Sequence, residues 1–164
     1  MINRFHNVFK RSSGCSMAVL SVTFLLGALF SAALLRRGGA ELCGKAAEQY
    51  AYIGSALLLL AAVSGSSLFG VILLPLLSAA LGVETCLCSA YFKLSGAVPE
   101  RRTVLVFAVL IPLFFSVSAK GAALSHTLIR LSAAHSLRGG ARSYITLCCI
   151  CAAAAAAMLY YFSL

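Results

Sequence analysis

The chain has 164 residues, of which 62% are hydrophobic and 10% are charged, whereas a soluble domain carries about 25% charged residues. So few charges cannot cover a water-facing surface, and the composition therefore excludes a soluble globular protein and indicates an integral membrane protein. The 13 Lys and Arg outnumber the 4 acidic residues, but they do not form the continuous basic stripe of a nucleic-acid binder. They are scattered around apolar segments, which is typical of topology signals and of contacts with anionic lipids.

The N-terminal segment consists of a basic leader over residues 1–15 and an apolar run over 16–35. The run is longer than the core of about 7–15 residues in a cleaved signal peptide, so we expect an uncleaved membrane helix. Two arginines and two glycines at 36–39 mark its end, as a charged stop followed by helix terminators. Because the leader is basic and has no acid near it, it indicates a cytoplasmic N-terminus.

The stretch from Tyr50 to Phe92 carries one full charge, Glu84. Even the part before Glu84 would be about 50 Å long as a helix, which exceeds the hydrocarbon core of about 30 Å. Four small residues at 64–67 interrupt the stretch and suit a tight turn. We therefore predict two membrane helices, near 49–63 and near 68–92.

The polar connections of the chain are short. We expect a loop over 36–49, followed by Tyr50 and Tyr52 as interfacial aromatic residues, and a turn region over 93–102. Chains below about 40 residues rarely bury enough core to fold alone, so no extramembrane domain is predicted.

Two further membrane helices are predicted near 103–120 and 143–163, which gives five spans in a single transmembrane domain over 16–163. The segment 120–138 fits either the far end of a long tilted fourth helix or a separate interfacial helix, and we favour the long helix. The predicted fold is therefore all-α, with five transmembrane helices and the two termini on opposite sides of the membrane.

Glu84 is the one ionisable residue well inside a predicted span, and intramembrane charges usually face the protein interior and mark functional positions. Lys120, near the end of the fourth helix, is a candidate partner if the third and fourth helices pack side by side. Three interpretations remain open: a neutral or paired Glu that locks these helices, an ion or proton site, and an interfacial position shared with Tyr91.

Catalytic motifs are missing from the sequence. It has no Asp, no GxSxG, no HExxH and no glycine-rich phosphate loop, so we predict neither an enzyme nor a bound cofactor. The cysteines at 86–88 and 148–151 have no histidine beside them, and we interpret them as packing residues and not as metal ligands.

A pattern of glycines and prolines begins at the small-residue turn. Gly70 and Pro75 follow the turn, Gly82 lies on the same apolar helix, and after a short glycine-containing loop the next helix carries Ile111 and Pro112. With the basic leader and the five predicted spans, this pattern resembles the stage II sporulation protein M family of endospore-forming bacteria. The resemblance implies structural roles for Gly70, Pro75, Gly82 and Pro112.

The resemblance also implies a function. Such a protein is a non-enzymatic membrane scaffold that recruits or holds septal peptidoglycan-remodelling enzymes during sporulation engulfment. Its expected partners are membrane-anchored cell-wall hydrolases, bound through the loops at 36–49 and 93–102 and through lateral helix faces, and its expected location is the cell membrane at the sporulation septum.

The alternative function comes from the residues alone. Glu84 and the two prolines, which would interrupt their helices, fit a small transporter subunit, either a substrate-binding or a permease component with an intramembrane Glu site. A polar cavity that converges on Glu84 would favour the transporter subunit, and a solid core with small-residue grooves on its outer surface would favour the scaffold.

Overall fold

The computed structural model describes residues 2–35, 40–67, 69–96, 98–99, 101–130 and 138–163, and within them the side chains of 16–35, 43–67, 69–96, 98–99, 101–125 and 142–161. These residues form five helices and no strand, in agreement with the predicted all-α fold. The helices are α1 (Ile2–Leu35), α2 (Ala40–Ser64), α3 (Gly70–Ser95), α4 (Arg101–Arg130) and α5 (Arg138–Ser163).

Each helix contains a segment that is long and apolar enough to cross a membrane, so the fold indicates a multi-pass membrane protein. These segments are Ser16–Leu35, Cys43–Ser64, Gly70–Ser95, Arg101–Ser125 and Arg142–Tyr161. The outer surface of the bundle exposes many large apolar side chains: α1 alone exposes Val22, Leu25, Leu26, Leu29 and Phe30. A surface of this kind suits contact with lipid chains.

Helix α2 begins earlier than the sequence predicts. The segment 40–49, expected to be a loop, belongs to the helix from Ala40 onward. It is rich in Ala, Glu, Lys and Gln, which are strong helix formers, and Cys43 and Ala46 within it are buried. Propensity and packing together therefore outweigh the polar character that suggested a loop.

The long helices α1 and α4 also extend beyond their predicted spans. Helix α1 continues through the basic leader as one helix of 34 residues, about 51 Å long. Helix α4 continues past Lys120 to Arg130, as the interpretation of one long helix expects. Residues 131–137 lie outside the described residues.

The predicted turn at 64–67 is confirmed, and it joins α2 to α3. The backbone N–H of Ser67 bonds to the carbonyl of Ser64 at 3.0 Å, and the N–H of Gly70 bonds to the carbonyl of Ser67 at 3.1 Å. At its other end α3 stops at Gly96, whose φ of 65° is the left-handed conformation that terminates many helices.

Helices α1 and α3 run parallel and form the largest interface in the described part of the bundle. The Ser78 hydroxyl donates to the carbonyl of Leu20 at 2.8 Å. A Cβ atom at Gly82 would overlap the carbonyl of Phe24, and one at Gly27 would overlap the carbonyl of Ala79. The two backbones therefore touch, which only small residues permit.

We call the end of the bundle that carries the 64–67 turn the turn end, and the end that carries Ser95 and Arg101 the far end. At the turn end, the Ser125 hydroxyl of α4 lies 2.6 Å from the carbonyl oxygen of Ser67. The Tyr144 hydroxyl of α5 donates to the carbonyl of Ala62 at 2.5 Å. These bonds join α2, α4 and α5 around the turn.

Candidate functional site

The candidate site is a layer of polar residues where α2, α3 and α4 meet. The Tyr50 ring of α2 stacks on Phe107 of α4, with ring centroids 4.4 Å apart and an angle of 28° between the planes. The Tyr50 hydroxyl lies 3.2 Å from the Thr85 hydroxyl oxygen of α3. These two contacts place Tyr50, Thr85 and Phe107 at one level of the bundle.

The direction of the hydrogen bonds in this layer follows from the fact that each hydroxyl group has one proton to donate. The Thr85 hydroxyl bonds to the carbonyl of Leu81 at 2.7 Å. Because a carbonyl can only accept, Thr85 donates its single hydroxyl proton to Leu81. Tyr50 must therefore donate to Thr85. The chain of bonds Tyr50–Thr85–Leu81 uses both hydroxyl protons of the layer.

Glu84 precedes Thr85 and is half-buried. Its Oε2 is shielded from solvent and has no hydrogen-bond partner among the described residues. The residue lies about 21 Å from the start of α3 and about 16 Å from its end. In a bilayer-spanning α3, the carboxyl group is therefore inside the hydrocarbon region, in the half nearer the far end.

The structure does not bring Glu84 and Lys120 together. The Lys120 ammonium donates to the Ser143 hydroxyl at 3.3 Å. Phe107 is level with Thr85, and Lys120 lies about 20 Å farther along α4 toward the turn end. Helices α3 and α4 are antiparallel, and Glu84 lies in the half nearer the far end whereas Lys120 lies near the turn end. The predicted pair is therefore not formed.

The two glycines named by the sequence resemblance lie at close contacts. A Cβ at Gly70 would overlap the Ser125 hydroxyl and the carbonyl of Ser64. Gly82 lies against the carbonyl of Phe24. Both positions therefore have a packing reason to be glycine, at the turn end and at the α1–α3 interface respectively.

The two prolines do not interrupt their helices. Pro75 lies inside α3 and Pro112 lies inside α4, and both helices continue past them. Pro75 is half-buried and Pro112 is exposed. The prediction that they break the helices is wrong, because a membrane helix accommodates a proline by local adjustment around the lost hydrogen bond.

Tyr50 differs from its predicted interfacial position. It is 2% exposed, because α2 begins at Ala40 and places Tyr50 well inside the helix. Tyr52, on another side of α2, is exposed. The helix-forming composition of 40–49 was the signal in the sequence that could have placed Tyr50 in the core.

The described residues contain no group of three His, Cys, Asp or Glu side chains arranged to hold a metal ion. Cys43, Cys88 and Cys151 are buried thiols. Cys88 and Cys151 pack in the hydrophobic core, as small apolar residues do.

Comparisons with known proteins give no relative for this chain: no family model, no curated protein and no solved structure matches it. The family assignment therefore stays a prediction from the sequence pattern.

Proposed function

We propose that the chain is a multi-pass membrane scaffold that holds septal peptidoglycan-remodelling enzymes during sporulation engulfment, as the resemblance to the stage II sporulation protein M family implies. The proposal includes a cytoplasmic N-terminus and membrane-anchored cell-wall hydrolases as partners. The observation that carries it is the lateral face of α5, where four alanines are exposed: Ala152, Ala153, Ala156 and Ala157.

This alanine face has the spacing of a helix-packing surface. Ala152 and Ala156 are one turn apart, as are Ala153 and Ala157, so their methyl groups form a flat strip along the helix. In lipid, strips of small residues let a second helix approach closely and gain van der Waals contact. The face therefore suits the transmembrane anchor of another protein.

The interior supports the same function. The small residues inside the bundle are used to hold its own helices together: Gly27 and Gly82 at the α1–α3 contact, and Gly65 and Gly121 where the turn meets α4. The core between the helices is filled by large apolar side chains such as Leu74, Leu110 and Phe114. A tightly joined body of this kind is suited to present fixed surfaces.

The proposal is tested in the native cell by a fluorescent fusion followed through sporulation, with membrane pull-down and mass spectrometry from the same culture. We expect enrichment at the division septum and recovery of cell-wall hydrolases. Uniform membrane fluorescence, with no hydrolase recovered, would contradict the scaffold function.

A pair of matched variants tests the alanine face. The double change Ala153→Leu and Ala156→Leu fills the strip with bulky side chains, and we expect it to reduce the recovery of hydrolases. The control Ala32→Leu and Ala33→Leu makes the same chemical change at two exposed positions of α1. Equal recovery from both variants would show that the α5 face is not the contact surface.

The second candidate function is the small transporter subunit. It is favoured by the Glu84 Oε2, a shielded carboxyl oxygen in a membrane-spanning helix with no partner among the described residues. Recovery of an ATPase module in the same pull-down, with uniform membrane fluorescence in growing cells, would support this function over the scaffold.

A further inference from the structure

Helices α4 and α5 are held together at two points that lie the same distance apart on each helix. At the turn end, Lys120 of α4 donates to Ser143 of α5 at 3.3 Å. At the far end, the Arg102 guanidinium of α4 lies 5.1 Å from the centre of the Tyr161 ring of α5. The interval from Arg102 to Lys120 and the interval from Ser143 to Tyr161 each cover five full helical turns, so the two contacts lie on one side of each helix.

The line between these contacts is the α4–α5 seam, which we define by Arg102, Val109, Leu113 and Lys120 of α4 and by Ser143, Ile150, Ala154 and Tyr161 of α5. It is about 27 Å long, close to the hydrocarbon thickness of about 30 Å. Its middle is apolar and open: Val109 is 42% exposed and Ile150 is 49% exposed.

The turn end of the seam has basic groups with unused donors. Lys120 carries three N–H donors and Ser143 takes one of them. Arg142 precedes Ser143, is exposed, and carries five donors. The acidic residues whose side chains the structure describes, Glu48 and Glu84, lie toward the other end, so no described carboxylate neutralises Lys120 and Arg142.

The far end of the seam has a different environment. The Arg102 guanidinium already lies over the Tyr161 ring, and both acidic residues with described side chains, Glu48 and Glu84, lie toward that end of the bundle. An anion is therefore favoured at the turn end.

We propose that the turn end of the α4–α5 seam binds an anionic phospholipid. Its phosphate accepts hydrogen bonds from Lys120, Arg142 and Ser143, and an acyl chain lies along Leu113 and Ile150 toward the middle of the bilayer. The depth of Lys120 suits this, because the seam spans the hydrocarbon layer and places its ammonium at the level of the headgroups.

The test uses the purified full-length chain in mixed micelles with equal amounts of phosphatidylglycerol and phosphatidylcholine. Native mass spectrometry measures the ratio of the two lipids that stay bound. We expect the wild type to retain phosphatidylglycerol preferentially. The double variant Lys120→Gln, Arg142→Gln should lower that preference by at least about tenfold, since each basic group near a membrane surface contributes to attraction of anionic lipid.

The matched control is Lys93→Gln, Arg101→Gln, which removes the same charge from two exposed positions at the far end. An equal loss in the control would overturn the proposal, because the preference would then depend on net charge alone. Equal retention of both lipids by the wild type would also overturn it. Arg142→Gln alone serves if the double variant does not fold, since its side chain is exposed, and it should lower the preference in part.

Inorganic phosphate distinguishes a lipid site from a simple anion site. It is added to the wild-type complex at constant ionic strength, with chloride as the reference. We expect no more displacement of phosphatidylglycerol by phosphate than by chloride. Selective displacement by phosphate would show that the site recognises the free anion, and it would overturn the assignment to a lipid.

Discussion

The Tyr144 hydroxyl of α5 donates a hydrogen bond to the Ala62 carbonyl oxygen of α2 at 2.5 Å. Ala62 lies in the last turn of α2, where carbonyl groups lose their intrahelical donors. The neighbouring carbonyls of Ala61 and Val63 receive backbone N–H groups from the turn. Tyr144 of α5 therefore supplies the hydrogen-bond donor that the Ala62 carbonyl lacks at the end of α2.

We expect Tyr144→Phe to destabilise the folded protein by about 1–2 kcal/mol, because among the described residues it leaves the Ala62 carbonyl with only the distant Cys148 thiol, at 3.8 Å. The free energy of unfolding in detergent micelles, measured by circular dichroism during SDS titration, checks this. Tyr52→Phe is the control, since Tyr52 is exposed. Equal stability of the two variants would mean that the hydroxyl contributes nothing at the end of α2.

The α1–α3 contact gives a second prediction. Gly82→Ala places a methyl group against the backbone of Phe24, and the helices must separate, at a cost of about 1–3 kcal/mol. Gly44→Ala is a matched change in α2, where the nearest atom to the added methyl group is a Tyr91 ring carbon at 3.9 Å. Thermal unfolding of both variants should show a loss for Gly82→Ala and no loss for Gly44→Ala.

The sequence predicts the number of helices and the turn at 64–67 because both are local properties. A helix of spanning length needs only an uninterrupted apolar run, and the turn needs only consecutive small residues that weaken a helix. The start of α2 was also a local property, but the polarity of 40–49 concealed its strong helix propensity. Because of that single error, an interfacial position is predicted for Tyr50, whereas the structure buries it in the core.

The contacts between helices could not be predicted in the same way. The sequence places Glu84 and Lys120 in two helices that could adjoin, but their relative height depends on how α3 and α4 slide along each other. That register is set by packing between distant residues, such as Tyr50 on Phe107 and Ser125 at the turn. No pattern within one helix encodes it, so the actual partner of Lys120, Ser143, was not identified.

The separation of Glu84 and Lys120 gives a third prediction. Because the two side chains lie about 20 Å apart along the bundle, we expect the effects of Glu84→Gln and Lys120→Gln on unfolding free energy to add within about 0.5 kcal/mol. A double-mutant cycle measured by SDS titration checks this. A coupling above about 1 kcal/mol would contradict the register that separates them.

The last prediction concerns the proposed orientation of the bundle. With the N-terminus in the cytoplasm, α1 leads outward and α2 returns, so the turn at 64–67 faces the cytoplasm and the α3–α4 connection faces outward. Ser66 and Val98 are exposed residues of these two connections. In a variant without the seven native cysteines, each is replaced by Cys in turn and treated with a membrane-impermeant maleimide.

We expect Val98→Cys to be labelled in intact cells and Ser66→Cys to be labelled only after the membrane is permeabilised. The reverse pattern would place the N-terminus outside and would also move the lipid-binding end of the α4–α5 seam to the outer leaflet. Labelling of both positions in intact cells would contradict a membrane-spanning α3, because the helix between them could not then separate the two compartments. Circular dichroism of the cysteine-free protein confirms beforehand that the fold is kept.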